Sequence, residues 1–330
     1  MAVPEVDDRS TPRGAAPVWL SFLARRLLRL VVSLFVLVTL AFAMIHLIPG
    51  DPVRTALGSR ATPELVQARQ HALWLDRPLL EQYWHYLHGL FTGDLGTSFT
   101  TNLPVAEVLG ERLPNSALLA GLAFAVIMLV SVPLGMLVAA ATRTGRRRGT
   151  ELVFTGVTGV LATVPEFLIG VGLVFVFAVR LQWLPVAGQD GPVSYLLPVA
   201  ALSLGSIAAL TRIVRAETLR VLGEDYLRVA RGKRLPTRLL YLRHVLPNML
   251  TATLTLGGLL LAGLVGGTVL VENVFAWPGV GTLVVNSVVQ RDYPLAQAVI
   301  LVLGATVLLV NVAVDLLLGL LDPRSTIRRT

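Results

Sequence analysis

The chain has 330 residues, of which 54% are hydrophobic and only 15% charged, and its mean hydropathy is +0.71. A soluble domain is nearer half apolar and about a quarter charged; here the excess is gathered in long uncharged runs, which excludes an ordinary soluble globule and points to an all-α membrane protein. The net charge of +8 sits in short clusters beside those runs, which speaks against nucleic acid as a partner, and the absence of cysteine removes disulfides, thiolate chemistry and cysteine metal sites.

Six runs approach the roughly 20 apolar residues that a helix needs to cross the hydrocarbon. They lie at 30–48, 117–141, 152–179, 195–210, 251–271 and 295–314, the fourth being the shortest. Each must be helical, because lipid offers no partner to backbone groups. Ala41-Phe42-Ala43 has the spacing of a signal-peptide cleavage site. The apolar run continues past it without a polar region, and Asp7 and Asp8 are unlike a signal-peptide start, so the run reads as an uncleaved span. Arginines precede the first run, separate the second from the third (Arg143, Arg146, Arg147, Arg148), fill 212–243 and end the chain. These segments alternate with the others, so the positive-inside rule puts both termini and both basic loops in the cytoplasm of a multi-pass cell-membrane protein.

Residues 49–111 are then expected outside. Thr62-Pro63-Glu64 has the form of a helix start, with Thr62 as cap and Pro63 in the first turn, and Asp76-Arg77-Pro78 has the form of a second. Leu79, Leu80, Tyr83, Trp84, Leu87, Leu90 and Phe91 follow at helical spacing, which predicts a helix on the membrane surface or packed on the spans. Gly93-Asp94-Leu95-Gly96 turns the chain. His85 and His88 stand three apart without an evident third ligand, so they read as interfacial side chains and no metal site is assigned.

Within the spans, Glu166 falls near mid-membrane in the third run, beside a kink predicted at Pro165. A charge there costs roughly 3 kcal/mol against lipid, so Glu166 should face the translocation path, meet a neighbouring helix or be protonated. Residues 223–250 are dense in arginine between two uncharged runs. Such a segment belongs outside lipid, as two short helices around the Leu235-Pro236 turn, and it reads as a docking element for a soluble partner. Glu272 and Asn273 end the fifth run before Trp277-Pro278-Gly279; they either touch a partner or shape a re-entrant loop, and shape is favoured. Gly257, Gly258, Gly263, Gly266 and Gly267 would let the fifth span pack closely, which suits an interface with a second membrane subunit, or bend. Asp315, with Asn311 one turn before it, either bonds across helices or caps the last span.

No Gly-x-x-x-x-Gly-Lys-Ser/Thr phosphate loop occurs, and Lys233 is the only lysine, so ATP cannot be hydrolysed here by that mechanism. Gly-x-Ser-Gly and His-Glu-x-x-His motifs are also lacking, which argues against an intramembrane protease. A self-powered secondary transporter would want an internal repeat, and none is visible.

A set of short motifs runs through the chain in fixed order. It comprises Arg25-Arg26-Leu27-Leu28-Arg29, His46-Leu47-Ile48-Pro49-Gly50-Asp51-Pro52, Leu75-Asp76-Arg77-Pro78-Leu79 and Gly93-Asp94-Leu95-Gly96-Thr97-Ser98. It continues with Glu111-Arg112-Leu113-Pro114, Trp183-Leu184-Pro185-Val186-Ala187-Gly188, Val271-Glu272-Asn273-Val274-Phe275-Ala276-Trp277-Pro278-Gly279-Val280-Gly281, Arg291-Asp292-Tyr293-Pro294 and Leu321-Asp322-Pro323-Arg324. From about 23 to 324 the chain resembles the B-type permease subunits of ABC importers for dipeptides, oligopeptides and, in one branch, nickel. The resemblance implies a type I importer permease with six transmembrane helices and cytoplasmic coupling helices. It divides the chain into a cytoplasmic N-terminus (1–29), a first span with the outer segment (30–110), the permease core (111–321) and a cytoplasmic tail (322–330).

The partners it implies are a second homologous permease, two ATP-binding subunits that carry ATP and Mg²⁺, and an extracytoplasmic solute-binding protein. The cargo it implies is di- or oligopeptide, with nickel, glutathione or an oligosaccharide as alternatives. Its coupling segment would be Gly223, Glu224, Asp225, Tyr226, Arg228, Ala230, Arg231, Gly232 and Arg234, docked in a cleft of the ATP-binding subunit. A short rigid helix tied to two spans moves as a unit when its partner moves. The family motif has glycine where this chain has Arg234, and Pro247 replaces a residue that is usually not proline. Path residues are sought among Pro165, Glu166, Glu272, Asn273, Asn311 and Asp315.

Overall fold

The computed structural model describes residues 15–47, 51–58, 61–145 and 147–321. Expectations that rest on 1–14, on Ile48-Pro49-Gly50, on Arg60 and Arg146, or on the tail 322–330 lie outside the described residues. Among the described residues the chain is helical apart from turns and one bridge between Thr97 and Pro104. Five helical stretches are long and apolar enough to cross a membrane: Leu20–Leu47, Val105–Thr142, Pro192–Leu222, Thr237–Val274 and Tyr293–Gly319. A sixth, Arg148–Thr163 with Glu166–Arg180, is broken by a bend of 99°.

The first span is α1 (Ala15–Leu47). Three short helices follow: α2 (Pro52–Leu57), α3 (Pro63–Ala72) and α4 (Leu79–Thr92). Thr62 caps α3 as expected, its hydroxyl accepting from the Leu65 N–H at 3.3 Å, a contact worth about 1 kcal/mol. Asp76 does not cap α4. It turns back to His71, Oδ2 to Nδ1 2.9 Å, and Pro78 occupies the cap position. The His71 hydrogen bond holds the Asp76 carboxyl below its ordinary range.

The apolar stripe predicted on α4 divides between two environments. Tyr83 faces α1, edge-on to Phe42 at 5.1 Å with its hydroxyl 2.9 Å from Thr39 Oγ1, while Leu79, Leu80, Trp84 and Phe91 point outward. The contact face is completed by Gln82, which meets His46 of α1 at 2.9 Å. His85 stacks on Trp74 at 4.3 Å.

The second span, α5 (Val105–Thr142), starts a dozen residues before its apolar run. The third is not the single helix expected over 152–179. It splits into α6 (Arg148–Thr163) and α7 (Glu166–Leu173), and α7 widens into a π-helix, Val174–Arg180. Pro165 is the cause: it offers no N–H, and it forces Val164 out of the helical region, to ψ 125°.

The fourth span, shortest in the sequence, is the centre of the fold. A 3₁₀ turn, Pro192–Tyr195, leads into α8 (Leu196–Leu222), and α5, α6, α7 and α11 (Leu246–Val274) pack around it. Leu202, Leu210 and Val214 of α8 meet Leu119, Ala123 and Ile127 of α5 and Met249 and Leu264 of α11 in one core. A central helix needs no lipid-facing surface, so polar residues such as Thr211 end its apolar run early without ending the helix.

After α8 come α9 (Asp225–Gly232) and α10 (Thr237–Leu240). The second half of the basic segment is not a free-standing helix. It passes through a π-turn, Tyr241–Val245, straight into α11, so the fifth span starts at Thr237. The π-turn shifts the backbone register just before Pro247, where an ordinary helix would set the ring against the Arg243 carbonyl. A loop then leads to α12 (Val280–Val289) and α13 (Tyr293–Leu321).

Small residues set the spacing between spans. A Cβ at Gly258 would overlap Val314 of α13, one at Gly257 would press on Met128 of α5, and one at Gly267 would overlap the Glu166 carboxylate. These three glycines of α11 therefore serve packing inside the chain and not, as the sequence implied for all five, an interface with a second permease. Gly263 and Gly266 alone face open space, in one stripe with the exposed Leu259 and Leu270.

Candidate functional site

Three groups of residues carry the functional expectations, and they lie in different parts of the fold. The first is the corner between α8 and α10. Gly223 ends α8, Glu224 adopts the extended conformation of a cap, and α9 runs for two turns. Its pattern is strongly two-sided. Leu227 and Ala230 are buried in the core with Leu222, Leu240 and Val245, whereas Asp225, Tyr226, Arg228 and Val229 face out. Val229 is 60% exposed, and the Arg228 side chain is 75% exposed, with only the open ion pair to Asp225 at 3.3 Å among the described residues. Burial, with the Glu224 carboxylate nearby, raises the Tyr226 pKa above that of an ordinary phenol, so its hydroxyl remains a neutral donor at physiological pH.

The two arginines of α9 differ in kind. The Arg231 guanidinium folds back and donates to the Leu222 carbonyl at 2.8 Å, closing the end of α8. Arg228 makes no such bond to its own backbone. Arg234 takes φ +55°, the left-handed conformation that favours glycine, and its N–H donates to the Arg231 carbonyl at 2.9 Å. The turn of a glycine is thus kept here without the glycine. Leu235 then packs on the core and Pro236 opens α10.

The neighbouring basic loop belongs to the same end of the molecule. Arg215 of α8 donates to Glu151 of α6 at 2.6 Å and to Thr142 of α5 at 3.2 Å, so the end of α5 and the start of α6 are tied to α8.

The second group surrounds the loop after α11. Glu272 is wholly buried. One carboxylate oxygen accepts from the Gly281 N–H at 2.7 Å and the Thr282 N–H at 3.3 Å, in the first turn of α12. The remaining first-turn N–H, that of Val280, donates to Ser116 of α5 at 2.8 Å. A negative group at a helix N-terminus is stabilised by the helix dipole and by the free amides there. Gly281 has to be glycine because a Cβ would overlap the Val269 backbone and press on this carboxylate.

Asn273 donates to the Val269 carbonyl at 2.7 Å within its own helix. Asn115 donates to the Pro278 carbonyl at 2.9 Å, and Gln189 bonds both Asn115 and Tyr195, whose ring meets Trp277 edge-on at 4.6 Å. Glu272 and Asn273 therefore shape the loop, which is the favoured half of the sequence expectation. Asn115, Ser116 and Gln189 were not singled out in the sequence. The signal was present: two polar residues following Pro114 where the second apolar run begins.

The third group comprises the other charged or polar residues of the spans. Glu166 begins α7 at the break and lies against Gly267 of α11, with Pro165 exposed beside it. Asp315 pairs with Arg26 of α1 and so bonds across helices, one of the two expected roles; Asn311 lies half-buried one turn earlier. Asp292, quoted in a motif but given no role, is wholly buried ahead of α13. It accepts from the Ser98 hydroxyl at 2.5 Å and from the Phe99 and Thr100 N–H groups at 3.1 Å, clamping the 98–101 loop to the last span.

Comparison with known proteins agrees with this arrangement. Residues 131–327 match the model of the binding-protein-dependent transport system inner membrane component, and residues 19–120 match the model of its N-terminal part. The chain is 37% identical over 306 residues to the glutathione transport system permease protein GsiC of Pectobacterium atrosepticum, covering 92% of this chain and 98% of that one. The corresponding protein of Escherichia coli K12 is 35% identical over 304 residues with the same coverage. Among solved structures, an inward-facing MetNI methionine ABC transporter superimposes with a TM-score of 0.56 at 16% identity, over 65% of this chain and 96% of that chain, which shows a shared fold. The all-α architecture is therefore that of a type I permease. The chain belongs to the family of inner-membrane components of binding-protein-dependent transport systems, as a multi-pass permease subunit of an ABC importer and not an enzyme.

Proposed function

We propose that this permease moves di- or oligopeptides, glutathione included, delivered by a solute-binding protein, and that α9 is the element through which two ATP-binding subunits carrying ATP and Mg²⁺ drive it. The observation that carries the coupling role is the two-sided character of α9. Leu227 and Ala230 lock it to the core, so it cannot move without the spans, while Asp225, Tyr226, Arg228 and Val229 offer a mixed apolar and charged face to another chain. In this reading both termini and α9 are cytoplasmic, as the basic residues require. The domain division at 29, 110 and 321 follows from that orientation.

A second homologous permease completes the path. The exposed stripe of Leu259, Gly263, Gly266 and Leu270 on α11 has the small residues that close helix contact needs. Of the path residues sought in the sequence, Pro165 and Glu166 at the helix break suit the path best; Glu272, Asn273 and Asp315 are engaged within the chain. The peptide reading is supported by the family, whose relatives at 37% and 35% identity are named for transport of glutathione, a tripeptide.

The test is uptake by the reconstituted importer. Arg228→Glu is expected to cut peptide uptake and coupled ATP hydrolysis by about thirtyfold, the scale of a docking hot spot, while leaving insertion and melting temperature unchanged. Arg231→Glu is expected to lower thermal stability as well, because Arg231 closes the end of α8. Wild-type uptake in the Arg228→Glu importer would remove α9 from the coupling role.

A further inference from the structure

We propose that Arg212 forms an oxyanion site in an open groove of the permease, taking the carboxylate of the transported solute; the proposal rests on the peptide reading above and specifies the chemistry of the cargo. A cavity of about 520 Å³ lies in the seam between α6 and α8. It is lined by Phe154, Ala162, Ala209, Arg212, Arg215 and Ala216, among others. The helices run antiparallel, with Arg215 opposite Glu151 toward one end of the seam and Gly205 against the Leu161 carbonyl toward the other. Arg212 stands between these levels, seven residues from Gly205, or about 10 Å along the helix. It stands one turn, about 5 Å, from Arg215 toward the middle of α8.

The stripe of α8 that faces α6 reads Gly205, Ala209, Arg212, Ala216. One cation projects from a row of small residues, and the small residues are what leave room beside it. The neighbouring cation has a different job. Arg215 is engaged by Glu151, by Thr142 and by the Phe154 ring, 5.8 Å from its guanidinium carbon. Among the described residues, Arg212 has neither an acidic partner nor a hydrogen bond, and it is exposed in the cavity. With Arg212 and Arg215 in its lining and no acidic residue there, the groove carries a net positive charge.

A cation that faces a cavity and is left unpaired by its own chain is open to an anionic ligand. A guanidinium is built to hold a carboxylate through two parallel hydrogen bonds. Peptides present such a group at their C-terminus. Anionic lipid headgroups present a phosphate with the same charge, and the experiment separates the two sources.

The full importer, with its binding protein, is reconstituted as wild type, Arg212→Gln and Arg212→Lys. Uptake is measured for a peptide with a free C-terminus and for the same peptide as its C-terminal amide, in liposomes with and without anionic phospholipid. Arg212→Gln is expected to slow transport of the free acid by about thirtyfold or more, the scale of removing one partner of a charge pair, and to leave the amide unchanged, with Arg212→Lys intermediate. Equal losses for acid and amide, or no loss, would overturn the proposal. A loss that tracks anionic phospholipid and ignores the peptide terminus would assign the site to a lipid headgroup and also overturn it. A wild-type importer that carries another solute but neither peptide would instead remove the peptide reading itself.

Discussion

Removing the Glu272 carboxylate should be among the most damaging single changes in the chain, and its size can be worked from the contacts. The carboxylate is wholly buried, so solvent screening does not discount its bonds. It accepts two backbone N–H groups from the first turn of α12, at 2.7 and 3.3 Å. Hydrogen bonds to a charged group contribute roughly 1.5–3 kcal/mol each, and the orphaned amides keep their desolvation penalty. The longer bond belongs at the low end of that range. Glu272→Ala should then cost about 3–5 kcal/mol, including the small cavity left behind.

Glu272→Gln keeps the shape and one carbonyl acceptor, so it should cost only about 1–2 kcal/mol, the difference between a charged and a neutral bond. The assay is reversible unfolding of the purified permease in mixed micelles, followed by tryptophan fluorescence, since Trp277 is buried in the same loop. The expected order of stability is wild type, Gln, Ala. An Ala variant as stable as wild type would refute the capping argument. A Gln variant as damaged as Ala would show that the charge, and not the acceptor, holds α12.

Two further outcomes follow from the backbone and from the loop clamp. Arg234→Gly should release about 1 kcal/mol of left-handed strain against a similar cost in unfolded-chain entropy, leaving stability nearly unchanged and uptake intact, whereas Arg234→Val should destabilise by about 1–2 kcal/mol; loss of uptake in the glycine variant would show that the arginine side chain itself docks the partner. Asp292→Ala removes two amide bonds and the Ser98 hydroxyl bond from the 98–101 loop. Exchange of the Phe99 and Thr100 amides should rise by about 10–100-fold while the spans stay protected, and unchanged exchange would show that the loop is held by other contacts.

Much of this protein was legible in one dimension because lipid allows so few solutions. A run of apolar residues must be a helix, and arginines beside it must stay in water, so five spans and the existence of α9 follow from composition and spacing alone. The Thr62 cap and the Pro165 break are equally local, since each depends on groups within a few residues. What spacing could not supply was the partner of each polar group. Glu166, Glu272, Asp292 and Asp315 look alike in sequence, as acids in or beside apolar runs. Only the packed structure places one against Gly267 at a helix break, one under the first turn of α12, one on a loop nearly 200 residues away and one beside Arg26.

The same holds for the glycines of α11, three of which are filled by their own chain while two face outward. The fourth span gives the clearest contrast. Its apolar run is the shortest, yet α8 is the helix around which the others assemble. Hydropathy measures how well a residue tolerates lipid, and a helix enclosed by other helices does not meet lipid. Its polar residues are therefore decided by neighbours brought together from distant parts of the chain, and that information exists only once the chain has folded.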